Sequence, residues 1–181
     1  MAIKLVRTKP PVSDKYYYAL VNTSWGHLAV VCQGTRLCRV IMPMDKKSAV
    51  VNRIAFEFPL AKHDAALLTG LQKSIVDYFR GSKVEFNCQV DISWAGDFGR
   101  AVLRRCSIVK LGQTICYGEI ARQVGSPGAA RAVGMVMARN RAPLVIPCHR
   151  VVKANGSLGG YSAPGGVGLK GRLLKHEAGF V

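Results

Sequence analysis

The chain has 181 residues, 49% of them hydrophobic, which is enough to bury a core in one domain or two small ones and excludes a disordered chain. Lys and Arg number 26 against 10 acids, a formal net charge of +16, and such a field favours a polyanion such as nucleic acid, or an acidic membrane surface. Charge alone fits a solvated basic surface equally well.

The six cysteines, Cys32, Cys38, Cys88, Cys106, Cys116 and Cys148, form neither a CxxC pair nor the dense spacing of a small secreted scaffold, so reduced thiols are expected. His27, Cys32, Cys38, His63 and Cys88 make no zinc signature, and no metal is expected. The opening run MAIKLVRTKPP lacks the apolar stretch of a signal peptide. No window reaches the roughly 18 apolar residues of a membrane span. A soluble chain with no membrane association is expected, cytoplasmic, or nuclear in a eukaryotic cell.

In chain order, residues 16–22, 27–32 and 37–42 are apolar, β-like runs with turns between them, which predicts a three-stranded meander. Residues 46–57 and 64–79 carry apolar side chains at three- and four-residue spacing, predicting two amphipathic helices, the second ended by Gly81. Residues 82–93 read as an extended connector. The expected N-terminal domain is therefore an α+β unit over 1–93, a small antiparallel sheet with helices.

The second domain, over 94–181, is expected to be mainly α and winged-helix-like. Phe98, Val102, Cys106 and Val109 recur at helical intervals, and Gly112-Gln113-Thr114 breaks that helix. A helix over 117–124, the tight turn Gly125-Ser126-Pro127-Gly128 and a helix over 129–140 make a helix-turn-helix. On a helical projection Ala129, Val133, Val136 and Met137 face the core, while Ala130, Arg131, Gly134, Met135 and Ala138 lie opposite. Small residues around one arginine permit close approach to a narrow groove, or to another helix.

Leu144-Val145-Ile146 runs into Pro147-Cys148-His149-Arg150-Val151-Val152. Proline pushes its predecessor toward extended geometry, so Cys148 is expected at the end of a buried strand, a firm mount for a nucleophile. A thiol nucleophile needs a base, and His149 is adjacent. Neighbours on a strand point oppositely, so contact between them requires a bridging water or a bend. A buried cysteine beside a surface histidine is the ordinary reading of such a pair.

The run Pro147-Cys148-His149-Arg150-Val151 resembles the active-site signature of the O6-alkylguanine-DNA alkyltransferase family. Tyr117-Gly118-Glu119-Ile120-Ala121 and Pro127-Gly128-Ala129-Ala130-Arg131-Ala132-Val133-Gly134 resemble that family's helix-turn-helix, with Asn140 eight residues before the cysteine. Gly156-Ser157-Leu158-Gly159-Gly160-Tyr161-Ser162 resembles its pocket loop, and Leu173-Leu174-Lys175-His176-Glu177 its closing helix. Thr23-Ser24-Trp25-Gly26-His27-Leu28 and Tyr78-Phe79-Arg80-Gly81 match in the first half. Two departures are Asn140-Arg141, where many relatives have Asn-Pro, and a slightly longer stretch between Ser162 and Glu177.

The resemblance implies a ribonuclease H-like N-terminal domain and single-turnover transfer of an alkyl group from O6-alkylguanine, and O4-alkylthymine, in DNA to Cys148. It implies His149 as general base acting through water, Glu177 as the carboxylate orienting it, Tyr117 as donor to the leaving base and Asn140 as brace of the turn. Arg131 would fill the gap left by a flipped nucleotide, with Ala129, Ala130, Gly134 and Tyr117 at the DNA face. Tyr161, Ser162, Gly160 and Val151 would line the base pocket. The partner implied is double-stranded DNA containing O6-alkylguanine, met by a monomer without cofactor. A winged-helix protein that binds lesions without transfer, and a cysteine hydrolase using Cys148 and His149, are the competing readings.

Overall fold

The structure is a computed structural model that describes residues 3–8 and 15–180; the opening run read for a signal peptide lies partly outside these residues. The chain divides into two compact units, Met1–Ile92 and Ser93–Val181.

In the first unit β1 (Lys4–Val6) precedes a meander of β2 (Tyr16–Thr23), β3 (Gly26–Gln33) and β4 (Arg36–Met44), paired antiparallel. Next come α1 (Lys47–Glu57), β5 (Lys62–His63), α2 (Thr69–Phe79) and β6 (Gln89–Asp91), and the sheet order is β1-β6-β4-β3-β2-β5. The expected meander is thus extended on both sides by short strands that pair in parallel. Two or three residues are too few to show an alternation, and β6 forms within the stretch read as an extended connector.

Leu28 to Cys32 of β3 are all fully buried, because this central strand is covered on both faces. From α1, Val50 and Ile54 pack on Ala29 and Ile41. The stripe Leu71, Ile75, Tyr78 and Phe79 of α2 is buried, and Phe79 meets Trp25 with ring centroids 5.2 Å apart. The second helix starts five residues later than its apolar spacing suggests. Asp64 accepts the Ala66 N–H at 2.9 Å, a local turn that competes with helix, and Leu68 is left-handed at φ 50°.

The second unit contains α3 (Asp97–Ser107), β7 (Ile115–Cys116), α4 (Tyr117–Gln123), α5 (Ala130–Ala138), a one-turn 3-10 helix (Cys148–Arg150), β8 (Val151–Val152) and α6 (Gly166–Ala178). The helix α4 ends on Gly125, whose φ of 75° lets Ser126 N–H reach back to Ala121 O at 2.9 Å and Gly125 N–H to Arg122 O at 3.1 Å. That cap turns the chain into α5 and completes the helix-turn-helix. Val133 and Met137 of α5 are buried and Val136 half-buried, while Arg131, Met135 and Ala138 are exposed, as the projection requires.

The buried strand expected before Cys148 is absent. Ala142 to Ile146 are buried but turn on themselves: Ile146 N–H donates to Ala142 O at 2.8 Å, and Leu144 takes φ 70°. A short apolar run looks the same in sequence whether it is a strand or a buried turn, and here Asn140 decides the matter. Its Nδ2 donates to Ile146 O at 2.7 Å and its Oδ1 accepts from Ala142 N at 3.0 Å, closing the turn from inside. No described helix is long and apolar enough to cross a membrane.

Candidate active site

Cys148 sits where this turn meets the 3-10 helix. Pro147, at φ −80° and ψ 64°, makes an inverse γ-turn in which Cys148 N–H donates to Ile146 O at 2.8 Å. The 3-10 helix then supplies the bend that an extended chain lacks, and Cys148 and His149 are buried together. Left-handed geometry at a leucine costs of order 1–3 kcal/mol and persists only where the surroundings over-determine it.

His149 is fully buried, and its Nε2 lies 2.7 Å from Glu177 Oε1. The same carboxylate accepts Arg150 Nε at 2.8 Å, Arg150 Nη2 at 2.9 Å and Gly112 N at 3.4 Å, while Arg150 Nη1 donates to Val109 O at 2.6 Å. Burial pushes the Glu177 carboxyl up, but the hydrogen bonds and charges of His149 and Arg150 outweigh it and hold the group ionised, well below the usual carboxylate range. Burial pushes His149 below the ordinary imidazole value despite Glu177, so the ring is neutral at pH 7. With Nε2–H donated to an ionised acceptor, Nδ1 carries the lone pair; it is buried and has no hydrogen-bond partner among the described residues.

Cys148 is buried, with only 5% of the residue exposed. Burial raises its thiol above the ordinary value, partly offset by a hydrogen bond from the Asn140 side chain and by the Lys170 charge. At rest it is a thiol, and a base must remove its proton.

Tyr117, at the start of α4, stands against three other segments. Its hydroxyl is 3.3 Å from Lys170 Nζ, and a Cβ placed on Gly159 would meet that hydroxyl at 2.9 Å. A Cβ on Gly134 would meet its ring at 3.9 Å. Burial raises the Tyr117 phenol, as does the neighbouring Cys148. Lys170 is fully buried and donates also to Val151 O at 2.6 Å and Gly160 O at 3.4 Å. Burial lowers its ammonium, while Cys148 and Cys106 pull it up.

The structure therefore brings together Cys148, His149, Glu177, Asn140 and Tyr117, with Val151 and Gly160 joined to them through Lys170. Tyr161 belongs to the group as well: its hydroxyl is buried without a hydrogen-bond partner among the described residues, and Cys148 and Glu177 both act on its titration, after burial, to raise it. Arg131 is exposed on α5, with Ala129, Ala130 and Gly134 half-buried beside it, and Ser162 is exposed too; among the described residues no hydrogen bond or ion pair joins either to the buried group. Lys170 was missed in the sequence. Its signal is the spacing Lys170, Leu173, Glu177, which shares the buried face of α6. Arg150 lay inside the quoted motif, but no sequence pattern showed that Glu177 would pair with it.

Three comparisons bear on this geometry. Residues 16–92 match the 6-O-methylguanine DNA methyltransferase ribonuclease-like domain, and residues 97–179 match the DNA binding domain of the same name. A methylated-DNA--protein-cysteine methyltransferase of Salmonella typhimurium is 41% identical over 160 residues, 87% of this chain and 92% of that protein. One of Mycolicibacterium paratuberculosis is 43% identical over 108 residues, which span 60% of this chain and 64% of the relative. Among solved structures, the Mycobacterium tuberculosis O6-methylguanine methyltransferase superposes with TM-score 0.75 at 30% identity, over 92% of this chain and 94% of that one. The structure of Mycobacterium tuberculosis OGT in complex with DNA gives TM-score 0.75 at 30% identity, over 91% and 94%. With both halves matched in order, and with the histidine and carboxylate bonded in one buried network beside the buried cysteine, the chain belongs to the 6-O-methylguanine DNA methyltransferase family.

Proposed function

We propose that this chain repairs DNA by direct reversal, taking the alkyl group of O6-alkylguanine, and of O4-alkylthymine, from duplex DNA onto Cys148 once and irreversibly, as a monomer without cofactor. One observation carries the reading: a buried thiol shares a turn with a neutral imidazole whose Nε2 is fixed on Glu177 and whose Nδ1 is free to take a proton.

In the proposed reaction the Cys148 proton passes to His149 Nδ1, through a bridging water, and the imidazolium formed is stabilised by Glu177. Sulfur attacks the alkyl carbon in line, and the carbon–oxygen bond breaks with its electron pair going to the guanine oxygen. Tyr117 gives its proton to the leaving base, and Lys170 Nζ stabilises the phenolate and resupplies it. The product is a thioether, which has no easy route back. In-line attack needs the nucleotide out of the stack, and Arg131, exposed on α5, enters the space it leaves.

The test is incubation with a duplex carrying one O6-methylguanine, followed by peptide mass spectrometry. The Cys148 peptide is expected to gain one methyl, saturating at one equivalent per chain. A peptide still unmodified after long incubation would leave only lesion binding, and product beyond one equivalent would favour a hydrolase.

Arg131→Ala is expected to slow repair in duplex about tenfold, since eversion costs a few kcal/mol that the arginine helps to offset. Reaction with free O6-benzylguanine should change less than about twofold, because no base is displaced. Equal losses in single-turnover rates on the two substrates would remove Arg131 from that role.

A further inference from the structure

Arg141 follows Asn140 directly, and its exposed guanidinium lies over the ring of Trp94, with the central carbon 4.8 Å from the ring centroid. Trp94 is half-buried in the segment leading into α3. That segment is itself pinned, since Arg100 Nη1 donates to Ala95 O at 2.5 Å and Arg100 N to Gly96 O at 2.8 Å. On the other side of Arg141, the buried Asn140 holds Ile146 O and Ala142 N, and Ile146 O also accepts the Cys148 N–H at 2.8 Å. Within residues 140–142, one end thus shares the Ile146 carbonyl with the acceptor residue and the middle is stacked on α3's leader.

We propose that the Trp94–Arg141 stack is a positioning clamp for alkyl transfer, holding the 140–142 turn so that Asn140 keeps the Ile146–Cys148 turn, and with it the acceptor residue, in place. The clamp rests on the transfer reading above. Its physical need comes from the loop that follows, where Leu144 at φ 70° stores strain that only fixed ends can maintain. Arg141 does not touch the reacting atoms; it acts through Asn140. A guanidinium over an indole is suited to this task, because the planar cation fixes direction as well as distance.

The experiment compares the full-length wild type with Arg141→Ala, Arg141→Lys, Trp94→Leu and the Arg141→Ala/Trp94→Leu double variant in single-turnover reaction with free O6-benzylguanine. Either loss is expected to lower the limiting rate about two- to fivefold, the worth of an exposed cation–π contact, with the half-saturating concentration unchanged. Arg141→Lys should recover part of the rate, and the double variant should lose no more than a single one. Alkylation of Cys148 by iodoacetamide supplies a second readout that does not depend on alkyl transfer. Its pH inflection should move upward in Trp94→Leu, which breaks the stack but keeps the Arg141 charge, as Asn140 loosens. Lys170 of α6, Cys106 of α3, Tyr117 of α4, and His149 and Tyr161 near the sulfur are unchanged in that variant, so the movement reports Asn140. An inflection unmoved by Trp94→Leu, or losses that multiply in the double variant, would overturn the clamp. So would a variant that reacts normally with free base and weakens only on duplex, which would make Arg141 a phosphate contact. A wild type whose Cys148 gains nothing from O6-benzylguanine or from an O6-methylguanine duplex, with an inflection that still moves in Trp94→Leu, would instead sink the transfer reading and leave the stack as a device that positions the Cys148 thiol.

Discussion

Glu177→Gln is expected to slow alkyl transfer by about 10²–10⁴-fold, the usual worth of a positioned general base, and to destabilise the chain by about 3–5 kcal/mol, the cost of breaking a buried ion pair. The carboxylate accepts His149 Nε2, Arg150 Nε and Arg150 Nη2 within 2.9 Å, all from buried donors. An amide offers one accepting oxygen and turns an NH2 toward donors it cannot bond. Arg150 then keeps a buried charge without its counterion, and His149 loses the acceptor that fixes its tautomer. Single-turnover rates and urea melts separate the two effects. Stability lost with a rate within twofold of wild type would make Glu177 a structural residue only.

The same network sets the response to acid. His149 titrates below its ordinary 6.5 in the folded chain, so as pH falls below 6.5 the unfolded chain binds a proton that the folded one refuses, and stability drops. Glu177 titrates below its ordinary 4.5, so its contribution is whole above 4.5 and is lost as pH falls further. Urea midpoints of the wild type are therefore expected to decline below pH 6.5 and more steeply below 4.5. Glu177→Gln should keep the first decline and lack its share of the second. An equally steep second decline in that variant would place the acid sensitivity on other carboxylates.

What could be read in advance followed from periodicity and local chemistry. The α4–turn–α5 unit was legible because Gly125 and Pro127 punctuate two helical patterns, and the small-residue face of α5 fell out of a 100° projection. Cys148 and His149 are paired by adjacency, whereas Glu177 joins them through resemblance alone, since nothing local ties residue 177 to residue 149. Residues 142–146 misled because burial, not strand pairing, explains their apolar run, and the Asn140 bonds that bend them span up to six residues. Lys170 was hidden by a general rule: a lysine is read as exposed, whereas this one is satisfied by two carbonyls and a phenol.

Gly159→Ala is expected to slow transfer by about 10²-fold, the order seen when a catalytic group is misplaced by an ångström. The new Cβ would lie 2.9 Å from the Tyr117 hydroxyl and 3.0 Å from its Cε2, closer than real Cβ contacts allow. Tyr117 has little room to yield, with its hydroxyl on Lys170 and its ring against Gly134. Either the phenol swings away from its place on Lys170 or the 159–161 segment lifts from Lys170, and in the proposed reaction both spoil protonation of the leaving group. Gly159 also has φ 69°, where alanine is strained, so a loss could come from the backbone alone. Gly156→Ala provides the control, because Gly156 has φ 79° and open space around its Cβ. It bears a like backbone cost without touching Tyr117. Single-turnover rates on O6-methylguanine duplex should therefore fall steeply for Gly159→Ala and by less than about threefold for Gly156→Ala, the cost of a fraction of a kcal/mol. Matching losses would assign the effect to loop strain and take Tyr117 out of the reaction.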